Sequence, residues 1–165
     1  MELNELEELI VGLGIEPTDD ELEELYEAFE DGFVNNQFTV NGLNVKVILH
    51  NSKVEGYVEY PETFVHLITR KSKSGHRVFD RNRANRVHWI KCILQNRDEE
   101  EVLCFKHTEG NGAIRDYYWY EAEDFLVIME EVTPDYIIIT SFYIDDNYNR
   151  NYYRKKYEAY LKNQA

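Results

Sequence analysis

The chain has 165 residues, 43% of them hydrophobic, with 32 acidic and 18 basic side chains and a formal charge of −14. That length and apolar content suffice for one ordinary core and exclude a disordered chain. The chain lacks both the run of about 18 apolar residues that a membrane span needs and the basic, apolar leader of a secreted protein, so a cytoplasmic protein that meets no membrane is expected. The two cysteines, Cys92 and Cys104, lie in apolar settings (KCIL, VLCF) and read as buried thiols rather than a disulfide framework. His107 follows Cys104 by three residues, but no second ligand pair completes a zinc site, so neither a metal nor a cofactor is expected.

Residues 1–31 hold thirteen acids and no Lys or Arg, leaving 19 acids against 18 bases in the rest. This divides the chain into an acidic arm, residues 1–34, and a near-neutral α+β domain, residues 35–165. In the arm, Leu3, Leu6 and Ile10, then Leu22, Leu25, Tyr26 and Phe29, recur at helical spacing. Gly12 and Gly14 end the first helix, Thr18 with Glu21 forms a capping box for the second, and Gly32 terminates it. The apolar stripes of this acidic helical hairpin are narrow, so they must dock on the body or on another chain.

The body opens with FTVNGLNVKVIL, a β-hairpin around Asn41-Gly42, the dipeptide that suits a type I′ turn. TFVHLITR after Pro61 reads as one or two helical turns, KSKSGHR as a polar loop, and residues 81–96 as one helix capped by Asp80. Four strand-like runs follow, EVLCFKHT, AIRDYYWYEA, DFLVIMEEV and DYIIITSFYI, and a helix, NRNYYRKKYEAYLK, closes the chain. The expected fold is α+β: a four-stranded antiparallel meander with helices on one side, an N-terminal β-hairpin, and the acidic helical arm.

Residues 66–97 carry nine basic residues against Asp80 alone. Clustered Lys and Arg suit a phosphate backbone, so Lys71, Lys73, Arg77, Arg83, Arg86 and Lys91 are candidate nucleic-acid contacts. Their alternative is a merely solvated helix face. Trp89 and the YYWY run could stack on bases, although alternating aromatics are ordinary strand packing. Metal-free RNA cleavage needs a base for the 2′-hydroxyl, an acid for the leaving 5′-oxygen and cations on the phosphate. His66, Arg70 and Lys73 supply those types within eight residues. The competing reading of a histidine between Val65 and Leu67 is a satisfied core residue.

The motifs FVHLITR and RVFDRNRANRVHWI, followed by a meander ending in ITSFYI, resemble the small nuclease superfamily that groups barnase, EndoU, the tRNA-cleaving colicins and the RelE-type toxins, and more narrowly its phage-associated members. The resemblance covers about residues 38–145. It implies that His66 is the catalytic histidine, Arg70 its basic partner, and Arg83 and Arg86 the arginines of the following helix. Thr140, Ser141 and Tyr143 would face the substrate. No second histidine stands at the end of the sheet, which leaves Tyr143 or a lysine as the acid. The expected function is a metal-independent endoribonuclease, a hydrolase of toxin or phage-related type. Its partners would be RNA, tRNA among the candidates, and a cognate inhibitor protein, with the acidic arm partly covering the basic groove. The runner-up is a non-catalytic interaction or inhibitor protein whose acidic helices mimic nucleic acid.

Overall fold

The structure, a computed structural model, describes residues 1–164. Four consecutive strands, β5 (Val102–Thr108), β6 (Ile114–Tyr120), β7 (Phe125–Val132) and β8 (Asp135–Tyr143), pair antiparallel in sequence order. They are part of a larger sheet. The hairpin β1 (Thr39–Val40) and β2 (Leu43–Lys46) joins it through β2, which runs parallel to β8 with Val45 opposite Tyr136. The order is β1-β2-β8-β7-β6-β5, so the expected four-stranded antiparallel meander is corrected to a six-stranded mixed sheet. A parallel pair needs a long crossover, and residues 47–134 between β2 and β8 supply it. The hairpin turn has Asn41 at φ 52° and Gly42 at φ 81°, the two positive values that a type I′ turn requires.

Helices cover both faces of the sheet, not one. Strands β6 and β7 are apolar at nearly every position: Tyr118, Tyr120, Phe125, Val127 and Met129 point to one face, and Tyr117, Trp119, Leu126 and Ile128 to the other. Both faces must therefore be shielded from water. The second is closed by α5 (Asn147–Gln164) through Tyr153, Tyr157 and Tyr160. The first carries α1 (Asp19–Glu30), α2 (Glu62–Ile68), α3 (Arg81–Ala84) and α4 (Trp89–Gln95). No helix among the described residues is long and apolar enough to cross a membrane.

The acidic segment contains one regular helix rather than two. Leu3–Glu5 forms a single 3₁₀ turn, and the chain then runs as an irregular strap, turning at Val11 and Gly12, to α1, whose capping box joins Thr18 and Glu21. Leu25 and Phe29 of α1 are fully buried, and the Phe29 ring lies 5.4 Å from that of Phe64 on α2. Leu3, Ile10, Leu13 and Phe33 belong to the same core cluster. Each such side chain contributes about 1.5–3 kcal/mol on burial. Truncating the chain at residue 34 is therefore expected to unfold it rather than uncover a working body.

The expected helix over residues 81–96 is two helices. Between α3 and α4, Arg86, Val87 and Trp89 donate to carbonyls three residues back, which leaves the Asn85 carbonyl to accept from Leu9 N at 3.1 Å. The Asn85 side chain reads the strap as well: Oδ1 accepts from Ile10 N at 2.7 Å, and Nδ2 donates to Ile10 O at 2.9 Å and to Glu8 at 3.1 Å. Asn85 is 4% exposed, so the Ile10 groups have no water to replace it. Asn85→Ala is expected to cost about 2–4 kcal/mol, measured as a lower urea midpoint. A midpoint unchanged from the parent would mean that the strap does not stabilise the helix pair.

Candidate nucleic-acid interface and catalytic cleft

The site is organised by the end of α2. A helix leaves its last carbonyls unpaired and its C-terminus partly negative. Here Thr69, in extended conformation, stops the helix, and its hydroxyl donates to Val65 O at 2.6 Å. The polar segment KSKSGHR is the loop of a hairpin whose short strands are β3 (Thr69–Lys71) and β4 (Arg77–Phe79). The hairpin brings Arg77 back over the helix end, where Nε donates to Thr69 Oγ1 at 2.8 Å and Nη2 to Thr69 O at 2.7 Å and His66 O at 3.3 Å. Arg83 of α3 donates from Nη1 to the same Thr69 carbonyl at 3.0 Å. One backbone oxygen thus gathers two guanidiniums from opposite sides.

His66 lies in the last turn of α2, half-buried. Burial first, then the charges of Arg77 and Arg83, hold its imidazole down to about 4, so it is neutral at pH 7 and able to accept a proton. The sign of the stability effect follows. Between the unfolded value of 6.5 and about 4, the unfolded chain takes up a proton that the folded chain refuses. Stability is then full above about pH 6.5, falls with pH by up to about 3 kcal/mol, and levels off below about pH 4. Burial lowers His88 too and adds to the same trend. His66→Gln should flatten the decline, read from urea midpoints at pH 7 and pH 4.5. A variant that declines as steeply as the parent would contradict the assignment.

Two clefts flank the β3–β4 hairpin. One is lined by His50, Lys53, Glu62, His66 and Arg77. The other is lined by Arg70 and Arg83, by the carboxylates Asp80 and Asp145, and by Tyr143 and Tyr153. The shared hydrogen bond to Thr69 O joins Arg77 of the first to Arg83 of the second, making one basic strip. Asp80 caps α3 through the Asn82 and Arg83 amides and lies 3.7 Å from Nε of both Arg70 and Arg83. Among the described residues, Lys71 and Lys73 on the hairpin are exposed and have no hydrogen-bond or ion-pair partner.

The structure brings together part of the set expected from sequence. Arg70 and Tyr143 share a cleft with Arg83, and His66 borders the adjoining one. Thr140 is elsewhere. A β-bulge in β8 places Thr140 opposite Ile128, on the α5 face of the sheet, and Ser141 opposite Val127, on the face that carries α2. The alternation of a regular strand therefore gives the wrong face for Thr140. Ser141 is fully buried with no partner for its hydroxyl, and Tyr143 is 37% exposed.

Arg86 is largely used within the fold. It donates to Asn82 O at 2.9 Å, meets Glu8 at 3.4 Å, and its guanidinium lies 5.1 Å from the ring centres of both Trp89 and Tyr143. Lys91 donates to Asn36 O at 2.9 Å beside Phe38 and lines neither cleft. The acidic arm meets the basic segment through an ion pair of Glu8 with Arg86 and through hydrogen bonds to Asn85, His88 and Trp89, and lines neither cleft. Of the two thiols expected to be buried, Cys92 is buried and Cys104 is exposed.

No protein family, curated protein or solved structure matches the chain. The site is therefore read from its own geometry. That geometry adds His50, Lys53 and Glu62 to the candidate residues. Glu62 and His66 are four apart on α2, a spacing that puts both on one face and was visible in the sequence. His50 arrives by long-range pairing. Its carbonyl accepts from Glu62 N at 2.8 Å, Ser52 N donates to Tyr60 O at 2.8 Å, and Asn51 bridges Pro61, which folds residues 48–60 back onto the start of α2.

Proposed function

We propose that the protein is a metal-independent endoribonuclease of the barnase, EndoU, colicin and RelE type, of toxin or phage-associated kind, acting on cytoplasmic RNA. The observation that carries this reading is a neutral histidine, His66, set beside Arg77 at a helix end from which a basic strip continues through Arg83 to Arg70. His66 takes the proton of the 2′-hydroxyl as it attacks phosphorus. Arg77, Arg83 and Arg70 hold the phosphate, whose negative charge grows in the transition state. Tyr143, exposed at the end of the strip, offers a face on which an unpaired base stacks. A cognate inhibitor fits the same proposal as an acidic partner for the exposed Arg70, Lys71 and Lys73.

The test is incubation of the full chain with labelled single-stranded RNA and with tRNA in the presence of EDTA. Chain scission is the expected result. RNA that is bound and left intact would replace this reading with the interaction protein, for which the internal use of Arg86 and Lys91 already speaks.

A further inference from the structure

The cleft that holds His66 contains a second histidine in a different environment. His50 Nε2 lies 2.9 Å from Glu62 Oε2, and its Nδ1 lies 3.4 Å from the Asn51 carbonyl oxygen. Both ring nitrogens face oxygen acceptors, one of them a carboxylate. Around His66 the order is reversed, because Arg77 and Arg83 face it and oppose a second positive charge. Two histidines on one cleft, one placed to give a proton and one to take it, make an acid and base pair.

We propose that His50 is the general acid of this site, oriented by Glu62, which protonates the departing 5′-oxygen while His66 deprotonates the 2′-hydroxyl. The assignment rests on the endoribonuclease reading above. The strong contact to Glu62 fixes Nε2–H and turns the ring, while the long contact to Asn51 leaves Nδ1–H free to transfer. In the step, the 2′-oxygen forms a bond to phosphorus and the P–O5′ bond breaks with its electron pair going to O5′. The His50 proton follows to O5′, and the 2′-hydroxyl proton ends on His66. The products are a 2′,3′-cyclic phosphate and a 5′-hydroxyl, and exchange with water restores both histidines. The other charged groups facing the pair are Lys53 on the same loop, Arg77 from the hairpin and Arg83 from α3. Lys53 is exposed and lines the same cleft.

The experiment compares two substrates. RNA has an alkoxide leaving group that needs a proton, whereas uridine 3′-(para-nitrophenyl phosphate) releases a phenolate that does not. His50→Ala is expected to slow RNA cleavage by about a hundredfold to ten-thousandfold and to slow the activated ester by less than about tenfold. His66→Ala should slow both. His50→Gln keeps a hydrogen bond to Glu62 without an acidic proton and should match His50→Ala on RNA. Glu62→Gln, acting through His50, should lower kcat on RNA with KM, melting temperature and the ester rate near the parent's. Equal losses on the two substrates in His50→Ala, or RNA cleavage at the parent rate, would overturn the assignment while leaving the nuclease reading intact. A parent chain that cleaves neither substrate would overturn the nuclease reading and this assignment with it.

Discussion

His66→Ala is expected to lower the rate of RNA cleavage by about a hundredfold to ten-thousandfold, the usual cost of a lost general base, while RNA affinity stays within a few-fold of the parent. The two quantities separate because different groups carry them. The phosphate is held by Arg70, Arg77 and Arg83, and Arg77 is anchored on Thr69 and on the His66 backbone carbonyl, all of which the alanine variant retains. Burial comes first in holding His66 near 4 and the arginines' positive field adds to it, and a phosphate anion arriving at these arginines offsets that second part, raising the basicity of His66 when substrate is in place. A His66→Ala protein that cleaves as fast as the parent would remove the histidine from the mechanism. One that loses binding and cleavage in proportion would make His66 a structural residue.

Arg83→Ala combined with Arg86→Ala is expected to lower stability by about 2–4 kcal/mol, or roughly 5–15 °C in Tm for a chain of this size. Sequence alone assigns these arginines to RNA, but the structure shows what they already hold. Arg83 pairs with Thr69 O and Asp80 and lies over Phe142, while Arg86 pairs with Asn82 O and Glu8 at a side-chain exposure of 13%. The informative variant for binding is instead Arg70→Ala with Lys73→Ala, both exposed, which should keep Tm near the parent's. It should also reduce the slope of log affinity against log salt by about 0.7 for each single-strand phosphate that is no longer neutralised. A fully stable Arg83, Arg86 double variant would show that neither side chain is needed to hold the fold. A salt slope unchanged by removal of Arg70 and Lys73 would take the hairpin out of the interface.

Features set by neighbours in the chain were legible in the sequence. The Asn41-Gly42 turn, the Thr18 and Glu21 capping box and the Asp80 cap are each decided within four residues, and each forms. The unbroken apolar runs of β6 and β7 also carried a message: a strand with no polar face has both faces buried, so a helix layer on each side was implied. What stayed hidden depends on distant partners. The parallel pairing of β2 with β8 joins residues about ninety apart, and the break between α3 and α4 exists because the strap from Glu7 to Ile10 takes the Asn85 groups. The bulge at Ile139, which reverses the facing of Thr140 and Ser141, leaves no mark on a run as apolar as DYIIITSFYI. The site follows the same division. His66 and its arginines lie close in sequence, whereas His50 comes to them only across the fold-back of residues 48–60.

The most direct test of the account is the chemistry of the RNA ends left after cleavage in EDTA. Attack by the 2′-hydroxyl, with His66 taking its proton, leaves a 2′,3′-cyclic phosphate on one fragment and a 5′-hydroxyl on the other, and a single 2′-deoxy nucleotide at the cleavage site blocks the reaction. Fragments ending in 3′-hydroxyl and 5′-phosphate, or cleavage that continues past the 2′-deoxy substitution, would contradict it.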